Sequence, residues 1–195
     1  GILMGILSSL TEGVMVSMYK KLLIVPTLFL VLSACSDSSP KKDDMNHENM
    51  DMNHSESSEV PENLKVEDNP TFEVGSQVII EEDHMEGMKG AEATIVNAFD
   101  TTAYTVSYTP TTGGEKVTNH KWVIHEEIED AGDKPFEAGS EVTIDADHTK
   151  GMDGVKAEIE SDEKTTVYMI NYTSITDGEE VTNHKWVTES ELSPK

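Results

Sequence analysis

The sequence contains no arginine: all 14 basic residues are lysine, set against 38 acidic side chains among 195 residues. Without arginine there is no bidentate guanidinium clamp for phosphate or carboxylate. The formal charge of −24 also excludes a nucleic-acid binder, which needs clustered cations to neutralise phosphates. A single cysteine, Cys35, leaves no intrachain disulfide framework and no cysteine-built zinc site. Gly-X-Ser-X-Gly, a phosphate loop and His-Glu-X-X-His are all missing, so the chain is not expected to be an enzyme. What it does have is 10 methionines and 7 histidines, a soft and borderline ligand inventory that the rest of the composition does not explain.

Residues 1–35 differ from everything that follows. Lys20 and Lys21 precede an apolar run from Leu22 to Ala34, which ends in Leu32-Ser33-Ala34-Cys35. A positive region, an apolar stretch and a small-residue cleavage site make a signal peptide. The run holds 13 residues and Pro26, short of the roughly 20 that a spanning helix needs. Leu-Ser-Ala-Cys resembles the bacterial lipobox, so Cys35 is expected to be lipidated and to anchor the chain in the membrane. Each buried CH₂ of such an anchor contributes about 0.8 kcal/mol. Residues upstream of Met18 read as over-extended translation. Everything after Cys35 is then expected at the outer face of the cytoplasmic membrane.

Residues 36–71 contain no aromatic side chain and almost no apolar periodicity; Ser, Asp, Glu, Asn and Lys dominate. Such a segment buries too little apolar surface to offset its ordering entropy, and it reads as a disordered tether. Within it Met45, His47, Met50, Met52 and His54 fall inside ten residues. Thioether sulfur is a poor ligand for Ca²⁺, Mg²⁺ or Zn²⁺ and a good one for Cu(I), whereas imidazole suits both copper states. Methionine otherwise fills apolar cores, and this stretch offers none. Copper binding is the reading favoured here, beside that of a solvated polar linker whose methionines are incidental.

The rest of the chain is duplicated. Phe72-Glu73-Val74-Gly75-Ser76 recurs as Phe136-Glu137-Ala138-Gly139-Ser140, an offset of 64 residues. Val117-Thr118-Asn119-His120-Lys121-Trp122-Val123 recurs unchanged as Val181 to Val187. Alternation at Val78/Ile80, Ala93/Ile95 and Tyr104/Val106/Tyr108, with the same pattern one offset later, predicts strands. Thr111 to Gly114 and Ser174 to Gly178 are turn signals. The expected architecture is mainly β: two tandem small SH3-like barrels, 72–130 and 131–195, with Trp122 and Trp186 plugging their cores. Pro135 marks the linker between the copies.

Candidate ligands recur with the repeat. His84, Met85 and Met88 share a Gly-containing loop after the first strand, and the second copy keeps His148 and Met152 but has Thr149 in place of Met85. His120 and His184 lie two residues before the tryptophans, and His125, whose counterpart is Glu189, extends the first set. Loop and distant histidine together would give N/S coordination suited to copper. Met88 and Met152 have an alternative role in closing a barrel end, and His120 and His184 one as hydrogen-bonded structural residues. The surrounding acids, 37 of them against 12 lysines after Cys35, raise the local cation concentration.

The paired Asp-His-(Met/Thr)-X-Gly-Met-X-Gly and Val-Thr-Asn-His-Lys-Trp-Val segments, with the lipobox and the Met/His arm, resemble the YdhK-type (CopL-like) copper-binding lipoproteins of Gram-positive bacteria. The resemblance covers about 72–191. It implies a membrane-tethered protein that sequesters Cu(I) or Cu(II) and contributes to copper resistance alongside a copper-exporting ATPase. It does not say which residues bind. Two alternatives stand beside it: a copper chaperone for the exporter, and a cell-wall or protein-interaction module built from SH3-like repeats.

Overall fold

Between Gly90 and Pro110 the chain has neither glycine nor proline, and the same holds between Gly154 and Gly178. Nothing in either stretch favours a turn, and β-branched and aromatic residues recur along both. Each becomes one long strand. In a computed structural model the chain is described over residues 55–195, so the leader, Cys35 and the candidate ligands Met45, His47, Met50, Met52 and His54 lie outside the described residues. The elements are β1 (Gln77–Ile80), β2 (Glu92–Tyr108), β3 (Val117–Ile124) and a 3-10 turn, His125–Glu127. The second copy supplies β4 (Glu141–Thr143), β5 (Lys156–Thr173), β6 (Glu180–Thr188), a 3-10 turn at Glu189–Glu191 and β7 (Leu192–Pro194). No helix among the described residues is long and apolar enough to cross a membrane.

The expected strands form, but Ala93/Ile95 and Tyr104 to Tyr108 belong to a single 17-residue strand, and their counterparts to one of 18 residues. These two strands pair antiparallel from Ala93 opposite Tyr172 to Tyr108 opposite Ala157. Thr101 lies opposite Thr165, its own counterpart at the 64-residue offset. The copies are thus related by a pseudo-twofold axis through this point.

The expectation of two self-contained barrels is therefore corrected. The seven strands form one open sheet in the order β4-β5-β2-β1-β7, with β3 beside β2 and β6 beside β5. Each lobe takes the start of one copy and the end of the other. In one core Val78, Ile80 and Ile95 pack with Tyr168, Ile170 and Val187; in the other Tyr104, Val106 and Val123 pack with Val142, Ile144 and Ile159. A third cluster joins Phe99, Trp122 and Ile124 to Val167, Met169 and Trp186. The tryptophans plug the seam between the copies. The physical reason is the missing turn: a strand that cannot fold back at residues 99–102 carries its second half into the neighbouring lobe.

Two glycines fix the loops after β1 and β4 to the opposite copy. Gly87 has φ +82°, and a Cβ there would collide with the hydroxyls of Ser174 and Thr176 in the β5–β6 turn. Gly151 has φ +83°, and its Cβ would fall 2.7 Å from Thr112 Oγ1 in the β2–β3 turn. Only glycine satisfies both the left-handed backbone and the close approach. The contact is sealed by Ile175 N–H to Gly87 O at 3.0 Å and Thr111 N–H to Gly151 O at 2.9 Å.

The symmetry is broken by the segment before the first copy. Glu56 N–H donates to Thr182 O at 2.9 Å, and Asn183 Nδ2 donates to Glu56 O at 3.1 Å. Further along, Leu64 is buried in the cluster at the seam. This strap lies along β6 and brings Glu56 to the site described next.

Candidate metal centre

Four histidines line a single cleft of about 1140 Å³. His84 and His148 come from the loops after β1 and β4. His120 and His184 come from β3 and β6, each directly after an asparagine at positive φ, 52° for Asn119 and 56° for Asn183. Asparagine tolerates that region, and the ladders shift register there, as a bulge does when it re-aims a side chain. Each ring of one copy faces a ring of the other: His84 and His184 have centroids 6.4 Å apart, and so have His120 and His148.

Two buried glutamates hold the arrangement. His84 Nε2 donates to Glu191 Oε1 at 2.9 Å, and the same carboxylate accepts from Trp122 Nε1 at 2.7 Å, Lys121 Nζ at 3.1 Å and Thr188 N–H at 3.0 Å. The second unit repeats this with the copies exchanged. His148 Nε2 donates to Glu127 Oε1 at 2.8 Å, and Glu127 accepts from Trp186 Nε1 at 3.1 Å to each oxygen and from Ile124 N–H at 3.1 Å. Glu127 and Glu191 were not among the candidates read from sequence. Their signal was there, since they are identical at the 64-residue offset, but they stand in a strongly acidic background. Glu56 also lines the cleft, with Oε1 at 3.8 Å from His184 Nδ1 and its other oxygen 3.9 Å from Lys185 Nζ.

Burial and these partners set the protonation states. Burial works to raise the pKa of Glu191, but the His84 hydrogen bond and charge, the Thr188 N–H and the Trp122 indole prevail and bring it to about 2. His120 is lowered to about 4, by burial first and then by the neighbouring His148 and His84 charges. Burial disfavours a charged His148, yet the Glu127 carboxylate outweighs it and holds that pKa above the ordinary value. Burial raises the pKa of Glu56, against the opposing pull of His148 and Lys185.

A pH dependence follows for the metal-free protein. Glu191 has a folded-state pKa below its unfolded value of 4.5, so its stabilisation is complete above pH 4.5 and is lost as pH falls towards 2. The loss is on the order of 3 kcal/mol. Urea midpoints measured in chelator-treated buffer should fall across this window, and the fall should be visibly smaller in Glu191→Gln. An equal fall in both proteins would show that Glu191 does not carry it.

The chemistry available lies on the other ring nitrogens. With the Nε2 protons of His84 and His148 directed at carboxylates, the Nδ1 atoms of both rings are buried without a hydrogen-bond partner, as is His120 Nε2. A histidine oriented by a carboxylate through one nitrogen, with the other left over, is the usual state of a metal ligand. Two metal–imidazole bonds of about 2 Å each span about 4 Å between nitrogens. The rings of each pair stand 6.4 Å apart by centroid, so such a span requires each ring to turn one nitrogen toward the other. No group of three or more His, Cys, Asp or Glu among the described residues is arranged as a ready-made metal site. The cleft lining brings the four histidines to one surface with Met85 and Thr149.

Of the ligands expected in the two copies, His84, Met85, His120, His148 and His184 are brought together here. The other three are elsewhere. Met88 and Met152 are fully buried in the apolar cores of the two lobes, where packing accounts for them. His125 spends both nitrogens on structure, Nδ1 with the Tyr104 hydroxyl at 2.9 Å and Nε2 with Gly132 O at 2.6 Å.

Fold and site together define an intertwined tandem-repeat β protein whose two copies share one histidine-lined cleft. The family described as "Protein of unknown function (DUF1541)" matches residues 74–125 and again 138–189, and the chain belongs to this DUF1541 family. It is 56% identical over 188 residues to the "Uncharacterized protein YdhK" of Bacillus subtilis (strain 168), covering 92% of this chain and 91% of that protein. A crystal structure of a DUF1541 family protein (ydhK) from Bacillus subtilis is similar with a TM-score of 0.72 at 63% identity, covering 75% of this chain and 99% of that one. A solution NMR structure of the ydhK C-terminal domain from the same organism gives a TM-score of 0.61 at 66% identity, over 64% of this chain and 94% of that one.

Proposed function

We propose that this protein binds copper outside the cytoplasmic membrane, held there by a lipid on Cys35, and so limits the free ion near the cell surface. The observation that carries the reading is the pair of carboxylate-oriented histidines, His84 and His148, whose Nδ1 atoms are buried without a hydrogen-bond partner and lie beside His184 and His120. Imidazole nitrogens with a thioether nearby favour copper over the hard divalent cations. Glu127 holds the His148 pKa above its ordinary value, so a metal there competes with protons more strongly than at an unperturbed imidazole. His120 is already neutral at pH 7.

The Met45 to His54 arm supports the same reading by connectivity. Ser55 lines the cleft, and it donates a hydrogen bond to Glu180 O and accepts one from Thr182 N–H. An arm joined to the chain at this point stays at millimolar effective concentration around the cleft, so it acts as a capture element for it. In this reading each lobe is an SH3-like unit assembled from halves of both copies. Resistance to copper and traffic with a copper-exporting ATPase are the roles that such a tethered binder would serve.

The test is titration of the mature chain with Cu(I) and with Cu(II), using Zn²⁺ as control. At least one copper per chain should bind at micromolar ion, and His84→Ala with His148→Ala should remove the share held by the cleft. Less than one copper per chain, or a stoichiometry unchanged in that double variant, would end the reading of the cleft.

A further inference from the structure

We propose that the two histidine pairs divide the oxidation states of copper between them: the His84/His184 pair with Met85 takes Cu(I), and the His120/His148 pair with Thr149 takes Cu(II). This deepens the copper reading above and rests on it. The two sides of the cleft are closely alike, though Glu56 adds a carboxylate 3.8 Å from His184 Nδ1. Loop histidine, strand histidine, buried glutamate and tryptophan are the same on both sides. Among the residues adjoining the loop histidines, the position after each is where the donor atom changes from sulfur to oxygen. Met85 lines the cleft directly after His84 and is half-buried, packed against the core of its lobe. Thr149 lines the cleft at the equivalent place, and its hydroxyl is hydrogen-bonded to the Tyr108 hydroxyl at 2.9 Å.

The consequence is one of donor softness. A thioether stabilises Cu(I) and does little for Cu(II), while nitrogen and oxygen donors retain Cu(II). Carboxylates line the cleft on both sides, Glu82 and Asp83 near Met85 and Asp145 and Asp147 near Thr149, so the change from sulfur to oxygen lies in the residue after each loop histidine. Because each pair takes its loop histidine from one copy and its strand histidine from the other, one residue in one loop is enough to tune one pair.

The experiment uses the full mature chain with Met45, His47, Met50, Met52 and His54 replaced by serine, so that the arm contributes no ligands. Cu(I) and Cu(II) affinities are measured by chelator competition. Met85→Thr should weaken the tightest Cu(I) site by about tenfold or more, the scale of losing a partner at a metal site, and change Cu(II) affinity by less than about threefold. Thr149→Met should create a second tight Cu(I) site. Equal weakening of both ions by Met85→Thr, or no change in Cu(I), overturns the division. Copper binding unaltered by His84→Ala with His148→Ala overturns the parent reading and this one together. Should Thr149→Met lose its fold with the Tyr108 contact, Met85→Thr decides the question by itself.

Discussion

A chain that stops after residue 130 gives no folded monomer. The first copy alone contains Val78, Ile80 and Ile95 without Tyr168, Ile170 and Val187, and Tyr104 and Val106 without Val142, Ile144 and Ile159. Each large apolar side chain left in water forfeits about 1.5–3 kcal/mol, and several are exposed on each half-core. That is comparable to the whole 5–15 kcal/mol by which a typical domain is stable. Size-exclusion chromatography and amide proton dispersion should find the fragment unfolded, or associated as a dimer in which two first copies exchange halves. A monomer with dispersed, native-like signals would overturn the account of the intertwined sheet. The same logic predicts one cooperative unfolding transition for the whole chain, since neither lobe has a complete core without the other copy.

Glu191→Ala should be among the most damaging single substitutions. It leaves His84 Nε2, Lys121 Nζ, Trp122 Nε1 and Thr188 N–H without their acceptor, and all but the lysine are deeply buried. Removing one partner of a buried charged network costs about 3–5 kcal/mol, because desolvated donors remain behind. For a protein of this size that is a fall of roughly 10 °C or more in Tm. Glu127→Ala should match it, since Glu127 serves His148, Trp186 and Ile124 in the same way. Glu92→Ala is the control: its carboxylate meets only the exposed Lys195 ammonium at 2.8 Å, and such a surface pair is worth at most about 1 kcal/mol. Calorimetry on the three variants would separate these cases, and a small shift for Glu191→Ala would sink the cradle argument.

Much of this was legible in the residues. The duplication, the alternating strands, the turns at Thr111 to Gly114 and Ser174 to Gly178, and the mainly β architecture are read directly from periodicity and composition. The exchange of halves was not, because strand alternation reports which face is buried and not against which copy. Its one local trace was the absence of glycine and proline around residues 99–102 and 163–166, where two short strands would need a hairpin. The site was legible in half. His84, Met85, His120, His148 and His184 were identified by residue type, and the cleft unites them. Met88 and Met152 are of the same type and spacing but point into the cores, a distinction set by tertiary packing. Glu127 and Glu191 were hidden by abundance: among 38 acids, only the fold shows which two are stripped of water.

The ladder between β2 and β5 has a consequence for inheritance. A swapped homodimer must find its mate, and its assembly fails on dilution. Here the mate is encoded in the same chain, fixed at one to one and present as soon as synthesis ends. Neither copy is then a spare. A mutation in the first copy's His-Lys-Trp strand is felt by the second copy's loop, which makes the shared heptapeptide costly to vary. Each loop histidine serves one pair, so a change beside it, such as Met85 against Thr149, alters one side of the cleft and leaves the other as it was.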